Sequence, residues 1–493
     1  MKKLKILFLS SEVYPFAKTG GLADVSGSLP KALKELGHEI RVIMPKYKMI
    51  NERKYVLREV IRLKDITIDF GGKKITFNVK SAFIPDSKIQ TYFIDYKKYF
   101  YRDGLYTDPD TKKDYPDNAL RFSFFSRSVL ETLKLLFWQP HIIHCNDWQT
   151  GLVPFYLNTI FKDDSFFKKS YTVLTIHNLS YQGIFDNSIL DKIEVSDSLF
   201  YPGSPVEYFG KINFLKAGIC FADYITTVSE NYAKEIQNSS EYGCGLEGVL
   251  REKSDKLTGI LNGVDYSVWN PETDKYIPEN YNYSTLKKKY KNKLFLLKKV
   301  GFEYNDNVPL IGVISRLTDQ KGFDILVDII DEIFKMDVQM VILGTGEKKY
   351  HKMLSEMQKR FSERMKVFLK FDEKLAHLIE AGCDIFLMPS KFEPSGLNQL
   401  YSLKYGTVPV VRKTGGLADS VVDFNSSMDG KGNGFIFEKY SSRELLEAIK
   451  RAVECYRDSK TWKKIIKNGM KEDFSWLSVA KKYSKLYEKI LKK

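Results

Sequence analysis

Short apolar runs alternate with segments of helical spacing along most of the chain. "KILFLS" (5–10), "IRVIMP" (40–45), "HIIHCN" (141–146) and "YTVLTIHN" (171–178) are apolar nearly throughout, the pattern of parallel strands buried on both faces. "DVSGSLPKALKELG" and "NALRFSFFSRSVLETLKLL" between them have helical spacing. The pattern then restarts with "LIGVIS" (310–315), "QMVILGTG" (339–346), "KVFLKF" (366–371), "CDIFLMPS" (383–390) and "TVPVVR" (407–412). This alternation predicts an α/β protein of two doubly wound, Rossmann-like domains facing each other. The polar stretch near 270–308 separates the two sets and is expected to be a partly helical connection.

In open α/β sheets, ligands collect beyond the carboxyl ends of the strands. Six polar loops, five of them glycine-bearing, follow strands here: "SSEVYPFAKTGG", "HCNDWQ", "HNLSYQG", "SRLTDQKG", "GTGE" and "PSKFEPSGLNQ". Together they predict one cleft between the two domains.

Length supports the division, since 493 residues exceed the size at which single cores stop growing. The net charge of +15 could attract nucleic acid. Its lysines are scattered among acids, so a solvated surface is the better reading and no nucleic-acid partner is expected. Five cysteines (Cys145, Cys220, Cys244, Cys383, Cys455) form no CxxC pair, which suits a reducing, cytoplasmic setting and argues against a zinc site. The start, "MKKLKILFLSSEVYPF", has lysines before an apolar stretch, but Glu12 follows at once, so it reads as a first buried strand rather than a signal peptide. No run approaches a membrane span.

One heptad-sized phrase occurs twice, as "KTGGLADV" (18–25) and "KTGGLADSV" (413–421). Glycines at a strand-to-helix turn let backbone N–H groups approach a phosphate, so Gly20 and Gly21 behind Lys18 are candidates, although such a pair also makes ordinary turns. The phrase is neither GxGxxG nor GxxxxGK[ST]. Arg316 and Lys321 could neutralise a diphosphate, or be solvated charges at a helix start. The "GTGE" turn at Gly344 would lie beside the same ligand. Glu393, just before "PSGL", could complement a helix dipole or hydrogen-bond sugar hydroxyls. His177 and Asn178 end a strand, as do Asp147 and Trp148, and a Trp beside a carboxylate suits a sugar platform. No Ser-His-Asp spacing and no HExxH occur.

"KTGGLADV", "HCNDWQTGLVP", "TIHNLSYQG", "LNGVD" (261–265), "SRLTDQKG", "MPSKFEPSGLNQLYSLKYGTVPVVRKTGGLADSV" and "FSWLSVAKKYSKLY" resemble the bacterial glycogen synthases and plant starch synthases, from residue 5 to about 487. The resemblance implies a GT-B glycosyltransferase with domains at 1–262 and 263–473 and a C-terminal helix within 474–493 that crosses back to the N-terminal domain. It implies retaining transfer of glucose from ADP-glucose to the non-reducing end of an α-1,4-glucan, with no metal or cofactor, no membrane and an unspecified oligomeric state.

Arg316 and Lys321 would then hold the diphosphate and Glu393 the transferred glucose. Gly396 and Leu397 would meet the phosphates by backbone, with Gly344, Phe371, Ser395 and Asn398 also on the nucleotide-sugar side. Lys18, Gly20 and Gly21 would close from the other domain. Asp147, His177 and Asn262 would line the glucose, with Asp24, Trp148 and Asn178 toward the acceptor. Tyrosines of the region 95–118 would border the acceptor path. Ser395 replaces the cysteine of many relatives, and Phe371 stands where relatives often carry a base-stacking tyrosine. Alternatives are a UDP-glucose-using GT-B transferase and a non-catalytic glucan-binding homologue.

Overall fold

A computed structural model describes residues 3–425 and 430–492. The chain divides into two units: unit 1 is Met1–Val228, Ala233–Gly263 and Trp476–Lys493, and unit 2 is Ser229–Tyr232 and Val264–Ser475.

Unit 1 contains β1 (Lys5–Leu9), β2 (Glu39–Pro45), β3 (Arg58–Glu59), β4 (Ile66–Phe70), β5 (Lys73–Phe83), β6 (Gln90–Asp95), β7 (Ile142–Asn146) and β8 (Tyr171–Ile176). It continues with β9 (Ile184–Phe185), β10 (Glu207–Tyr208), β11 (Lys211–Asn213), β12 (Tyr224–Thr227) and β13 (Leu257–Gly259). Its main sheet runs β13-β12-β8-β7-β1-β2-β6-β5-β3, with β4 on β5. The strands from β13 to β6 are parallel, and β3, β4 and β5 add an antiparallel extension. The opening apolar run is β1, at the middle of this sheet and fully buried from Ile6 to Leu9. The helix Gly21–Glu35 follows it, three residues earlier than its spacing suggested.

The helix Trp476–Ile490 packs on Gly21–Glu35 within unit 1. Two buried histidines receive it: His38 Nε2 lies 2.8 Å from Ser484 Oγ, and His144 Nδ1 lies 2.6 Å from Tyr487 OH. Burial lowers the His144 pKa to about 3, so the neutral ring is the form that fits.

Unit 2 contains β14 (Leu310–Ile314), β15 (Gln339–Leu343), β16 (Met365–Phe368), β17 (Ile385–Met388), β18 (Val408–Arg412) and β19 (Phe435–Phe437). They form one parallel sheet in the order β16-β15-β14-β17-β18-β19, the arrangement of a dinucleotide-binding fold. Successive residues of β15 enter opposite layers: Met340 and Ile342 pack in one apolar cluster, Val341 and Leu343 in another. Both faces are therefore covered, which is why these strands read as unbroken apolar runs. The connection near 270–308 contains the helix Lys289–Val300, as its partly helical pattern suggested.

Candidate active site

The order of the unit 2 sheet places a switch point between β14 and β17, where chain direction around the sheet reverses. A pocket of about 210 Å³ lies there, lined by Val313–Arg316 at the end of β14 and Leu387–Ser390 at the end of β17. Lys321, Glu393 and Gly396–Asn398 complete it.

Glu393 is 8% exposed. Its Oε2 accepts from Lys321 Nζ at 2.5 Å and from Ser390 Oγ at 3.1 Å. Lys321 closes the turn Asp319–Lys321, and Gly322 behind it has φ +76°. A Cβ on Gly322 would lie 2.1 Å from the Pro389 carbonyl oxygen, so glycine allows this turn to rest on the end of β17. Arg316 is exposed and has no carboxylate partner among the described residues. The "GTGE" turn is pressed equally close, because a Cβ on Gly344 would lie 2.0 Å from the Ser315 oxygen.

The helix Asn398–Tyr405 begins at the pocket. Asn398 Nδ2 donates to the Ile314 carbonyl at 2.6 Å, which fixes the helix start to β14. The backbone N–H groups of Gly396, Leu397 and Asn398 meet no acceptor among the described residues. Orphan N–H groups and the positive end of the helix dipole favour an anion there. The buried Ser395 hydroxyl is also unpartnered. Phe371, beyond β16, is 87% exposed and offers a free aromatic face.

The second "TGGLAD" lies behind this loop. Gly416 N–H donates to the Glu393 carbonyl at 3.1 Å, and Cβ atoms on Gly415 and Gly416 would approach the Glu393 and Ser395 carbonyl oxygens to 2.0 and 1.9 Å. These glycines brace Glu393–Ser395 through its backbone. Lys413 turns away to pair with Glu438 at 2.6 Å. Asp419 accepts from the Ser229 hydroxyl at 2.6 Å and from the N–H groups of Glu230 and Asn231.

In unit 1, Asp147, His177 and Asn178 follow β7 and β8 and are half-buried. His177 N–H donates to Asp147 Oδ1 at 2.8 Å, and His177 Nε2 lies 2.8 Å from Asn146 Oδ1. Asp147 has φ +55° and ψ −174°, a region glycine alone enters without strain. Such strain collects at functional sites, and here it turns the carboxylate toward the β8 end. Burial pushes the Asp147 pKa up to about 7, against the N–H donors of His177 and Asn178, and the Glu12 charge pushes the same way. Burial lowers the His177 pKa to about 3, so its ring is neutral.

Trp148 is not a sugar platform. It is 8% exposed and held edge-on by Phe122 and Phe185 at 5.0 and 5.6 Å, and Gly183 backs its ring. Asn262 is buried, beside Gly263, where a Cβ would lie 2.8 Å from the Trp476 ring. Lys18 and Asp24 form an exposed ion pair at 2.7 Å. Nothing stands within 4 Å of a Cβ on Gly20 or Gly21, in contrast to the second copy.

Sequence reasoning missed Glu12. Its buried carboxylate accepts from Thr19 N–H, from Thr19 Oγ1 at 2.5 Å, from Gly20 N–H at 3.2 Å and from Tyr106 OH at 2.8 Å. The Gly20 N–H is thus spent within the protein, which corrects its reading as a phosphate donor. Tyr106 is the tyrosine of 95–118 tied to this network. Among the described residues no group of three or more His, Cys, Asp or Glu side chains is placed to hold a metal ion.

A family model described as "Starch synthase catalytic domain" matches residues 5–252, and one described as "Glycosyl transferases group 1" matches 298–472. The glycogen synthase of Thermosipho africanus is 48% identical, over 99% of this chain and 100% of its own. The chain belongs to the glycogen and starch synthase family. It is therefore a glucosyltransferase of GT-B fold. The glycogen synthase of Desulforudis audaxviator is 44% identical over 100% of this chain and 97% of its own. A solved structure of the catalytic domain of starch synthase IV from Arabidopsis thaliana, bound to ADP and acarbose, superposes with a TM-score of 0.88 at 32% identity, covering all of both chains. Sucrose-phosphate synthase from Thermosynechococcus elongatus, at 15% identity and a TM-score of 0.60 over 99% of each chain, shares the fold.

Proposed function

We propose that this family member transfers glucose from ADP-glucose to the non-reducing end of an α-1,4-glucan, with retention at the anomeric carbon and without a metal, in the cytoplasm. The observation that carries the reading is the Lys321–Glu393 pair at the switch point, beside a helix start with unspent N–H groups. A diphosphate seated on Gly396 and Leu397 would receive the helix dipole and the charges of Lys321 and Arg316. Those groups would stabilise the leaving nucleotide, the task a metal performs in other transferases. Glu393 would hold the glucose hydroxyls, and the exposed Phe371 ring would stack on the base. Lys18 and Gly21 would add a cation and an N–H to the donor. Asp147, His177 and Asn262 would serve the glucose and acceptor.

No carboxylate is assigned as a covalent nucleophile. The acceptor O4 would attack the anomeric carbon on the face from which the nucleotide leaves. The carbon–oxygen bond to the phosphate breaks, the new one forms, and the O4 proton passes to the departing phosphate oxygen. The resemblance of the Arabidopsis protein, bound to ADP, supports an adenine nucleotide. The test is labelled ADP-glucose against labelled UDP-glucose, with glycogen and EDTA. Label entering polymer from ADP-glucose supports the reading, whereas label from UDP-glucose alone moves the donor and overturns that part of it.

A further inference from the structure

The first "TGG" turn is not braced as the second is. In unit 2, backbone carbonyls of Glu393 and Pro394 accept from Gly416, and the glycines touch main chain. In unit 1 the turn stands clear of backbone, and one side chain collects it. Glu12, 3% exposed, receives four donors: the Thr19 N–H and hydroxyl, the Gly20 N–H and the Tyr106 hydroxyl. Tyr106 OH in turn lies 2.6 Å from Ser11 Oγ.

We propose that Glu12 is the positioning residue of the Lys18–Gly21 loop: its buried carboxylate fixes Thr19 and Gly20, and thereby sets the Lys18 ammonium and the Gly21 N–H for the donor. This rests on the proposed function, in which that loop serves the nucleotide sugar. The carboxylate suits the task because it only accepts, and two main-chain N–H groups at a tight turn need an acceptor. Charge-assisted bonds to N–H groups are also stronger than neutral ones. Glu12 acts through the loop and touches no substrate, so its effect should vanish once the loop's own cation is gone.

The experiment is a cycle of Glu12→Ala, Glu12→Gln, Lys18→Ala and Glu12→Ala/Lys18→Ala, assayed for transfer from ADP-glucose, with amide hydrogen exchange of residues 18–21. Glu12→Ala is expected to lose on the order of 100-fold in transfer, the scale of an angstrom-sized misplacement, with the rise in KM falling on the donor and not on the glucan. Glu12→Gln should recover to within about tenfold, because its carbonyl can accept both N–H groups while the Thr19 and Tyr106 hydroxyls turn to accept from its amide. The double variant should be no worse than Lys18→Ala alone, since the two act as a unit. If Glu12→Ala fails to fold, Thr19→Val removes one contact and should show a several-fold loss with the same non-additivity. Multiplying losses, a Gln variant no better than Ala, or a folded Glu12→Ala at wild-type activity each overturns the proposal. If the wild type itself transfers nothing, the proposed function has failed instead. Exchange then still decides: faster exchange at 18–21 in Glu12→Ala supports the positioning role, and unchanged exchange overturns it.

Discussion

Lys321 Nζ lies 2.5 Å from Glu393 Oε2, joining the turn after β14 to the loop after β17 across the switch point of the unit 2 sheet. The pair puts a cation and an anion in one pocket, where a sugar diphosphate presents an anionic end and a neutral hydroxylated end.

Removing the cation should be costly. Lys321→Ala is expected to lower kcat by about 100- to 1,000-fold, the scale for deleting one electrostatic group aimed at developing charge. Lys321→Arg should not restore it, because a planar fork does not replace a compact ammonium in so close a pair. Steady-state kinetics with ADP-glucose check both; recovery in the Arg variant would show that positive charge alone suffices.

The duplicated phrase gives a matched pair of variants. A Cβ on Gly416 would lie 1.9 Å from the Ser395 carbonyl oxygen and 2.7 Å from its Cα, so Gly416→Ala must move the segment that carries Glu393. A Cβ on Gly21 would meet nothing within 4 Å. Gly416→Ala should lose on the order of 100-fold in kcat/KM. Gly21→Ala should fold with a stability within about 0.5 kcal/mol of wild type. Melting curves and kinetics on both proteins decide; full activity in Gly416→Ala contradicts the bracing role.

Asp147 gives a stability signal with a definite sign. Its pKa is raised by burial to about 7, so the protonated form fits the fold better. That contribution is complete below the usual carboxylate range and is lost as pH rises through about 7. Asp147→Asn should therefore flatten the fall in melting temperature between about pH 4 and pH 7. An unchanged slope would place the titration elsewhere.

Glu380 should behave in the same sense at higher pH. It is buried, Oε2 accepts from Ser402 at 2.8 Å and Oε1 has no partner, and burial pushes its pKa up to about 8. Its contribution is complete below the usual carboxylate range and is lost progressively until pH reaches about 8. Glu380→Gln should match wild type near pH 4 and melt higher near pH 9.5, as scanning calorimetry would read. Equal melting at both values would contradict a neutral Glu380.

The apolar runs that became β1, β7, β14 and β17 were legible because strands covered on both faces need no polar alternation. The extension at β4 and β5 was not read, although β4 alternates buried and exposed residues as a half-buried antiparallel strand does. Glu393, Lys321 and Leu397 could be placed together from sequence because each follows a strand of one sheet, and loops at the same sheet edge converge. Trp148 was misjudged because Phe122 and Phe185, which bury it, come from distant segments. Glu12 was missed although three of its four donors are local: the turn that carries them was read as facing a phosphate rather than a side chain, and the fourth donor, Tyr106, comes from another loop. The strain at Asp147 is a backbone fact with no residue-type signature.

The measurement closest to the central claim is transfer of labelled glucose from ADP-glucose to glycogen, with EDTA, by wild type and by Glu393→Gln side by side, with melting curves of both. The account predicts polymer labelling by the wild type, a loss of at least about 100-fold in Glu393→Gln and superimposable melting. Labelling by Glu393→Gln at the wild-type rate would contradict the assignment of the pocket beside Lys321 as the place where the sugar is held.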